Sequence, residues 1–193
     1  MSAVNAPFGF LPVFHPSGLV RAQGFKSAIP TGYASNIFKG QPVAIDGSNG
    51  NIIPVAANNV DFIGVFAGIT FLDAQSRPIY FPAWLASQVI TQPQETVVWV
   101  YTDPQIVYSA QADGSVARTA LGREVNISNF AAGSTLTGLS QATLAATPVT
   151  AGQQGQWFVH DVSRRPDNDW GDAFTVLQVR MARSQQVANK VGI

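Results

Sequence analysis

The nonapeptide FTVLQVRMA, residues 174–182, decides the fold class through its alternation. In an extended strand successive side chains point to opposite faces, so every second residue from Thr175 to Met181 shares one face. That face is largely apolar, whereas the face from Phe174 to Arg180 mixes apolar with polar side chains. The mixture predicts a strand that is covered on both sides for part of its length.

Short runs of β-branched and aromatic residues recur between turn signals along the rest of the chain. They are residues 41–45, 52–56, 62–71, 96–102, 106–111, 124–128 and 156–162. Helical signal is weak, with the best short candidates at 33–38 and 115–121. Because strands do not alternate with long helices, an α/β enzyme scaffold is disfavoured. We predict an all-β fold, a single β-barrel or β-sandwich domain with an extended N-terminal arm, long loops and little helix.

The composition is unusually poor in charge. The 193 residues are 46% hydrophobic and only 11% charged, against about 25% charged residues in an average soluble domain. Such a surface is typical of a protein whose exterior is covered by partners. The formal net charge is zero, so nothing attracts the chain to nucleic acid or to an anionic membrane, and no segment is apolar enough to span one. The absence of cysteine excludes disulfides and thiolate chemistry.

The segment APFGFLPVFHPSG, residues 6–18, combines aromatic residues with three prolines. Proline removes backbone donors and fixes φ, so this stretch suits neither a helix nor a central strand and is predicted to be extended. It could fold back onto its own core or lie on a neighbouring subunit. We favour the second interpretation, with residues 1 to about 20 making few contacts with their own core and with three anchors, Phe8, Phe10 and Phe14.

These patterns divide the chain into an N-terminal arm, residues 1–25, and a β-rich core domain, residues 26–193. Two loop insertions interrupt the core. The first, at about 72–94, carries aromatic residues between prolines, and the second, at about 131–155, has no charge and is predicted to contain a short strand between loops. Docking of the first loop on a partner would use Tyr80, Phe81 and Trp84.

A search for catalytic patterns finds little. The two histidines are His15, in the proline-rich segment, and His160, in a predicted strand. A Ser-His-Asp triad would need one of them, yet the nucleophile-elbow pattern and the glycine-rich phosphate loops are missing from the sequence. A spatial pair of carboxylates for glycoside hydrolysis stays open, because eleven acidic residues allow many pairs. We expect a protein that is not an enzyme and has no cofactor.

The stretch SRRPDNDWGD, residues 163–172, looks most like a site. Its oxygen-bearing side chains could ligate Ca²⁺, but a proline stands where an EF-hand loop would need its first ligand. We therefore expect no metal and favour ion pairs between the arginines and the acids, within the chain or across an interface. The proposed interface residues here are Arg164, Arg165, Asp167, Asp169 and Trp170.

Several of these stretches together resemble a family of small virion proteins of tailed bacteriophages. The resemblance runs from about residue 5 to about residue 183, with APFGF and RRPDN as its most distinctive pieces. The other matching stretches are FKGQPV (38–43), FIGVFAGITF (62–71), VYTDPQIVYSAQAD (100–113) and GSTLTGLSQATL (133–144). The chain departs from the family pattern in HPSGLVRAQGFK (15–26) and in IYFPAWLASQ (79–88).

The resemblance implies a capsid decoration, or cement, protein. Such a protein binds the outer surface of the icosahedral head at capsomer seams and strengthens it against internal DNA pressure. Its partners would be the major capsid protein and further copies of itself, most simply as a trimer, and its location would be the capsid exterior after assembly in the host cytoplasm. Two alternatives remain: a tail or head-fibre component, and a carbohydrate-binding β-sandwich motivated by four tryptophans, namely Trp84, Trp99, Trp157 and Trp170.

Overall fold

The computed structural model describes residues 4–56 and 61–186 and is all-β, with 36% strand and 3% helical residues. In chain order the strands are β1 (Leu11–Phe14), β2 (Gln23–Lys26), β3 (Ile37–Phe38), β4 (Pro42–Ile45), β5 (Ile52–Pro54), β6 (Gly64–Leu72), β7 (Pro78–Phe81), β8 (Ala83–Trp84), β9 (Val97–Tyr101), β10 (Val107–Gln111), β11 (Glu124–Val125), β12 (Trp157–Val162) and β13 (Val176–Met181). Two short 3-10 turns, Pro93–Glu95 and Arg118–Ala120, account for the helical residues.

The strands form two main antiparallel sheets. Sheet I has the order β1-β10-β13-β12-β11, so β13 lies at its centre and β1 at one edge. Sheet II has the order β2-β9-β6-β4-β5, and β7 pairs with the far end of β6. Strands β3 and β8 form a separate two-stranded sheet. Within the described residues none of the sheets closes on itself, so of the two predicted architectures the sandwich is the one that fits.

Burial defines two apolar clusters. The first lies between the sheets, where the inward residues of sheet I, such as Tyr108, Trp157 and Val179, meet Phe62 and Val65 from β6 and its approach. The second lies on the other side of sheet II and is covered by the β3–β8 pair; its largest members are Phe66 and Trp84. Successive side chains of β6 point alternately into the first and the second cluster. Both faces of the strand are therefore covered, which explains why its first six residues are all buried.

The eight strands predicted from runs of β-branched and aromatic residues are all present, as β4, β5, β6, β9, β10, β11, β12 and β13. The central position of β13 matches its sequence pattern: Leu177, Val179 and Met181 are buried in the core, while Gln178 and Arg180 on the opposite face are half-buried. The strand is therefore covered on both sides in part, as predicted.

The first predicted loop insertion contains more regular structure than expected, and the second contains less. Residues 72–94 include the end of β6, β7, β8 and a 3-10 turn. In residues 131–155 Leu144 is buried and forms isolated bridges, but Leu136 stands 95% exposed at the tip of a tight turn. The predicted strand there does not form beyond these isolated bridges. Of the two helix candidates, residues 115–121 contain only one 3-10 turn. Residues 33–38 do not form a helix, and their last two residues belong to β3.

Candidate interaction surface

The N-terminal segment is built into the protein's own core. Phe10 is fully buried, its ring stacks on Trp157 with centroids 4.3 Å apart, and its N–H donates to the Gly40 carbonyl at 2.8 Å. Gly9 has a φ of 72°, and a Cβ there would lie 2.8 Å from that same carbonyl oxygen. The prediction that residues 1 to about 20 make few contacts with their own core is wrong for residues 4 to 20, and Phe10 cannot anchor a partner; residues 1–3 lie outside the described residues.

The reason for this difference is that the segment enters sheet I as an edge strand. Leu11 pairs with Ser109 and Pro12 with Tyr108, and a bulge follows Pro12. An edge strand tolerates proline because only one of its edges needs ladder hydrogen bonds. Strand β2 likewise pairs with β9, so the boundary drawn at residue 25 falls inside a strand of sheet II.

The two other phenylalanines of the segment stay at the surface. The Arg165 guanidinium lies 5.2 Å from the ring centroid of the half-buried Phe8, a cation–π arrangement. Phe14 is 40% exposed, and its ring lies 6.2 Å from the ring of His160 on β12. Phe14 is therefore the predicted anchor that presents the most open aromatic surface on this segment.

The aromatic residues of the 72–94 insertion also include both buried and exposed side chains. Trp84 is fully buried, and its Nε1 donates to the Tyr33 carbonyl at 3.1 Å, so its predicted role as a docking residue is wrong. Tyr80 is 51% exposed; its hydroxyl donates to the Ala67 carbonyl and its ring covers Gly68, where a Cβ would collide with it. Phe81 is half-buried beside the second cluster.

The loop between β12 and β13 is organised by a buried amide. The Asn168 Nδ2 donates to the carbonyls of Ser163 and Val176, at 2.8 and 2.9 Å, and its Oδ1 accepts the Val176 N–H at 2.8 Å. The loop is also tied to its neighbour through the Gly171 N–H, which donates to the Val116 carbonyl. Asn168 therefore closes the loop at its base, a role that the sequence pattern did not assign to it.

The arginines of this loop do not pair with its acids. Arg164 reaches Asp161 at 3.8 Å, and Arg165 lies over Phe8. Asp169 accepts the N–H of Trp170 and gives its own N–H to Asp172, while Asp167 is exposed. Trp170 is half-buried against the core between the sheets. The predicted pairing of the arginines with Asp167 and Asp169 inside the chain is wrong, because those carboxylates lie on the turn and the arginines point elsewhere.

We expect chelation to leave the protein unchanged. In the described part of the chain no group of three or more His, Asp or Glu side chains is placed to hold a metal ion. EDTA should therefore shift the melting temperature by less than about 1 °C in a thermal scan. A fall of several degrees that Ca²⁺ reverses would contradict this expectation and return the 163–172 loop to the role of a metal site.

A Ser-His-Asp cluster occurs at the turn after β1. His15 Nδ1 lies 2.6 Å from the Ser17 Oγ, and its Nε2 lies 3.2 Å from Asp103. The Ser17 N–H also donates to Nδ1, and the Gly18 N–H donates to the His15 carbonyl. Both nearby backbone donors are thus already engaged in the turn and are not free to bind an oxyanion. The arrangement stabilises the turn and attaches it to the β9–β10 connection.

The outer face of sheet I, meaning its side chains that point away from sheet II, is a candidate surface that the chain itself covers in part, since Val107 and Glu124 are buried. Cross-strand pairing aligns one row of this face, because Phe14 lies opposite Val107, Phe158 opposite Arg180 and Glu124 opposite Phe158. Val107 and Arg180 are the next pair along the ladder from Tyr108 and Val179. We call this set the outer-face row: Phe14, Val107, Arg180, Phe158 and Glu124.

The row is apolar apart from its two charged members. The Arg180 guanidinium lies 5.3 Å from the Phe158 ring centroid, and its buried Nε has no hydrogen-bond partner among the described residues. Glu124 is turned toward the Gly155 N–H, which it accepts at 2.6 Å, and burial raises the pKa of its carboxyl. Beside the row, Leu11 is 49% exposed. Arg180, Phe158 and Glu124 were not among the predicted site residues.

Comparison of the chain with protein-family models, with curated proteins and with solved structures returned no match. No helix within residues 4–56 and 61–186 is long and apolar enough to cross a membrane.

Proposed function

We propose that this chain is a non-enzymatic virion structural protein, a capsid decoration protein that binds the outside of a bacteriophage head at capsomer seams and stabilises it. The observation that carries the proposal is the outer face of sheet I, where Leu11 and Phe14 are exposed on an ordered strand. Exposed apolar side chains on an ordered strand suit a permanent partner surface.

Two further features support the proposal. The low charge of 11% agrees with the depletion of charged residues in interface cores. The resemblance to decoration proteins includes APFGF, and that motif closes the core through Gly9 and Phe10 while it sets Leu11 and Phe14 facing outward. The partner is the major capsid protein, and the protein acts in many copies, with a homotrimer as the favoured assembly.

The carbohydrate-binding alternative loses part of its motivation. Trp84 and Trp157 are fully buried and cannot stack on a sugar ring, and Trp99 and Trp170 are half-buried. The tail or head-fibre alternative keeps the same exposed surface and differs only in the partner. Electron microscopy of labelled particles separates the head from the tail.

Purified protein should bind heads that lack decoration, and the double variant Leu11→Ser/Phe14→Ser should bind at least about tenfold more weakly, because it removes most of the exposed apolar contact. The measurement is co-sedimentation over a concentration series. A matched control is Ile79→Ser/Val89→Ser, which removes two exposed apolar side chains outside sheet I. This control should bind like the wild type.

Two results would overturn the proposal in different ways. Loss of binding in the Ile79/Val89 control, with the Leu11/Phe14 variant unaffected, would transfer the interface to the 72–94 insertion with Tyr80 and Phe81. Failure of the wild-type protein to bind heads at all would remove the decoration function.

A further inference from the structure

The outer-face row contains a cation without a counterion. Four arginine or lysine side chains of the described residues form ion pairs, namely Lys26–Glu95, Arg77–Asp73, Arg164–Asp161 and Arg183–Asp61, and the others form none. Arg180 is one of these others, although it is half-buried at the centre of sheet I. It differs from them because its buried Nε has no hydrogen-bond partner in the described part either. A partly desolvated guanidinium that lacks an acceptor is costly, and a carboxylate placed against it removes that cost.

The surroundings of Arg180 limit what can fill this role. Phe158 packs against the guanidinium on one side, and Val107 and Phe14 continue the row on the other. A second polar atom without a partner in the described part, the Ser109 Oγ, belongs to the same face; Ser109 is only 2% exposed. An arginine packed against an aromatic ring is typical of interface hot spots, which are enriched in arginine and aromatic residues.

We propose that the outer-face row binds a carboxylate side chain of a partner protein, with the Arg180 guanidinium as its counterion and Phe14 and Phe158 on either side of it. This inference rests on the proposed head binding, so the carboxylate belongs to the capsid surface. A planar carboxylate matches the two-pronged donor geometry of arginine. Nucleic acid is a less suitable partner than a carboxylate, because binding a phosphate backbone needs several cations. The row offers one cation together with the acidic Glu124.

Substitution of Arg180 tests the proposal with binding to undecorated heads. Arg180→Gln should weaken binding about 30-fold or more, since it leaves the partner's carboxylate buried and unpaired. Arg180→Lys keeps the positive charge but lacks the bidentate guanidinium donors. It should therefore bind more tightly than Arg180→Gln and more weakly than the wild type. The matched control Arg118→Gln removes an exposed arginine from the Arg118–Ala120 turn and should bind like the wild type. Binding of Arg180→Gln within about twofold of the wild type overturns the proposal.

A second measurement does not depend on heads. Titration of the isotope-labelled protein with sodium acetate should shift the Arg180 guanidinium NMR resonances, identified by their loss in Arg180→Lys, and should leave those of Arg118 in place; sodium chloride is the control titrant. If acetate does not shift them, the carboxylate site is wrong even where heads are bound. If acetate shifts them but the wild-type protein does not bind heads, the proposed function fails and the carboxylate site stands.

Discussion

Phe10→Ala should lower the free energy of unfolding by about 3–5 kcal/mol, the range for removing a fully buried aromatic side chain. The Phe10 ring stacks on Trp157, which also contacts Phe62 and Tyr108 at centroid distances of 5.1 and 5.3 Å. Truncation would open a cavity in this aromatic cluster between the two sheets. Urea unfolding followed by Trp fluorescence measures the change.

The matched control lies four residues further along the same segment. Phe14→Ala removes the same ring from an exposed position on the outer face, so it should cost only about 1 kcal/mol. If Phe10→Ala were as mild as Phe14→Ala, the N-terminal segment would be an arm after all, and the burial of Phe10 in this fold would be refuted.

Asn168→Ala should destabilise the protein by about 1–3 kcal/mol, because it leaves the buried Val176 N–H without an acceptor. The carbonyls of Ser163 and Val176 would lose one donor each and keep a backbone N–H. The loss should appear as a lower urea midpoint with an unchanged slope. Asp167→Ala changes the adjacent, exposed position of the same loop and should stay within about 0.5 kcal/mol of the wild type. Equal effects of the two substitutions would mean that Asn168 does not close the loop.

The strands that were predicted correctly have runs of β-branched and aromatic residues between turn signals, and several of them also alternate with period two. Strand β13 is an example, since Val179 and Met181 recur on one face. The strands that it missed, β1, β2, β3, β7 and β8, have two to four residues each, and β1 and β7 contain proline. Such a strand is defined by the partner that it meets, and the partner of β1 is distant in sequence.

The candidate site was predictable only in part, for a related reason. Aromatic residues between prolines indicate a docking segment, but the pattern does not say whether the surface that receives them is the chain's own. Phe10 and Trp84 dock inward, and Phe14 and Tyr80 remain open. Alternation placed Gln178 and Arg180 together on one face of β13, yet the missing counterion of Arg180 depends on strands β10 and β12, whose pairing the sequence does not reveal.

The strand order has a consequence for how the chain folds during synthesis. The named strands of sheet II all lie between Gln23 and Tyr101, so this sheet can assemble while later residues are still being translated. It would use the local hairpins β4–β5 and β6–β7 and the longer-range pairing of β2 with β9. Sheet I cannot, because its central strand β13 ends at Met181 and separates β10 from β12. Until β13 emerges from the ribosome, sheet I is incomplete and Phe10 cannot pack against it. During this time the nascent chain exposes unpaired strand edges. Such long-range closure is slow, which makes the last part of folding the stage most vulnerable to aggregation.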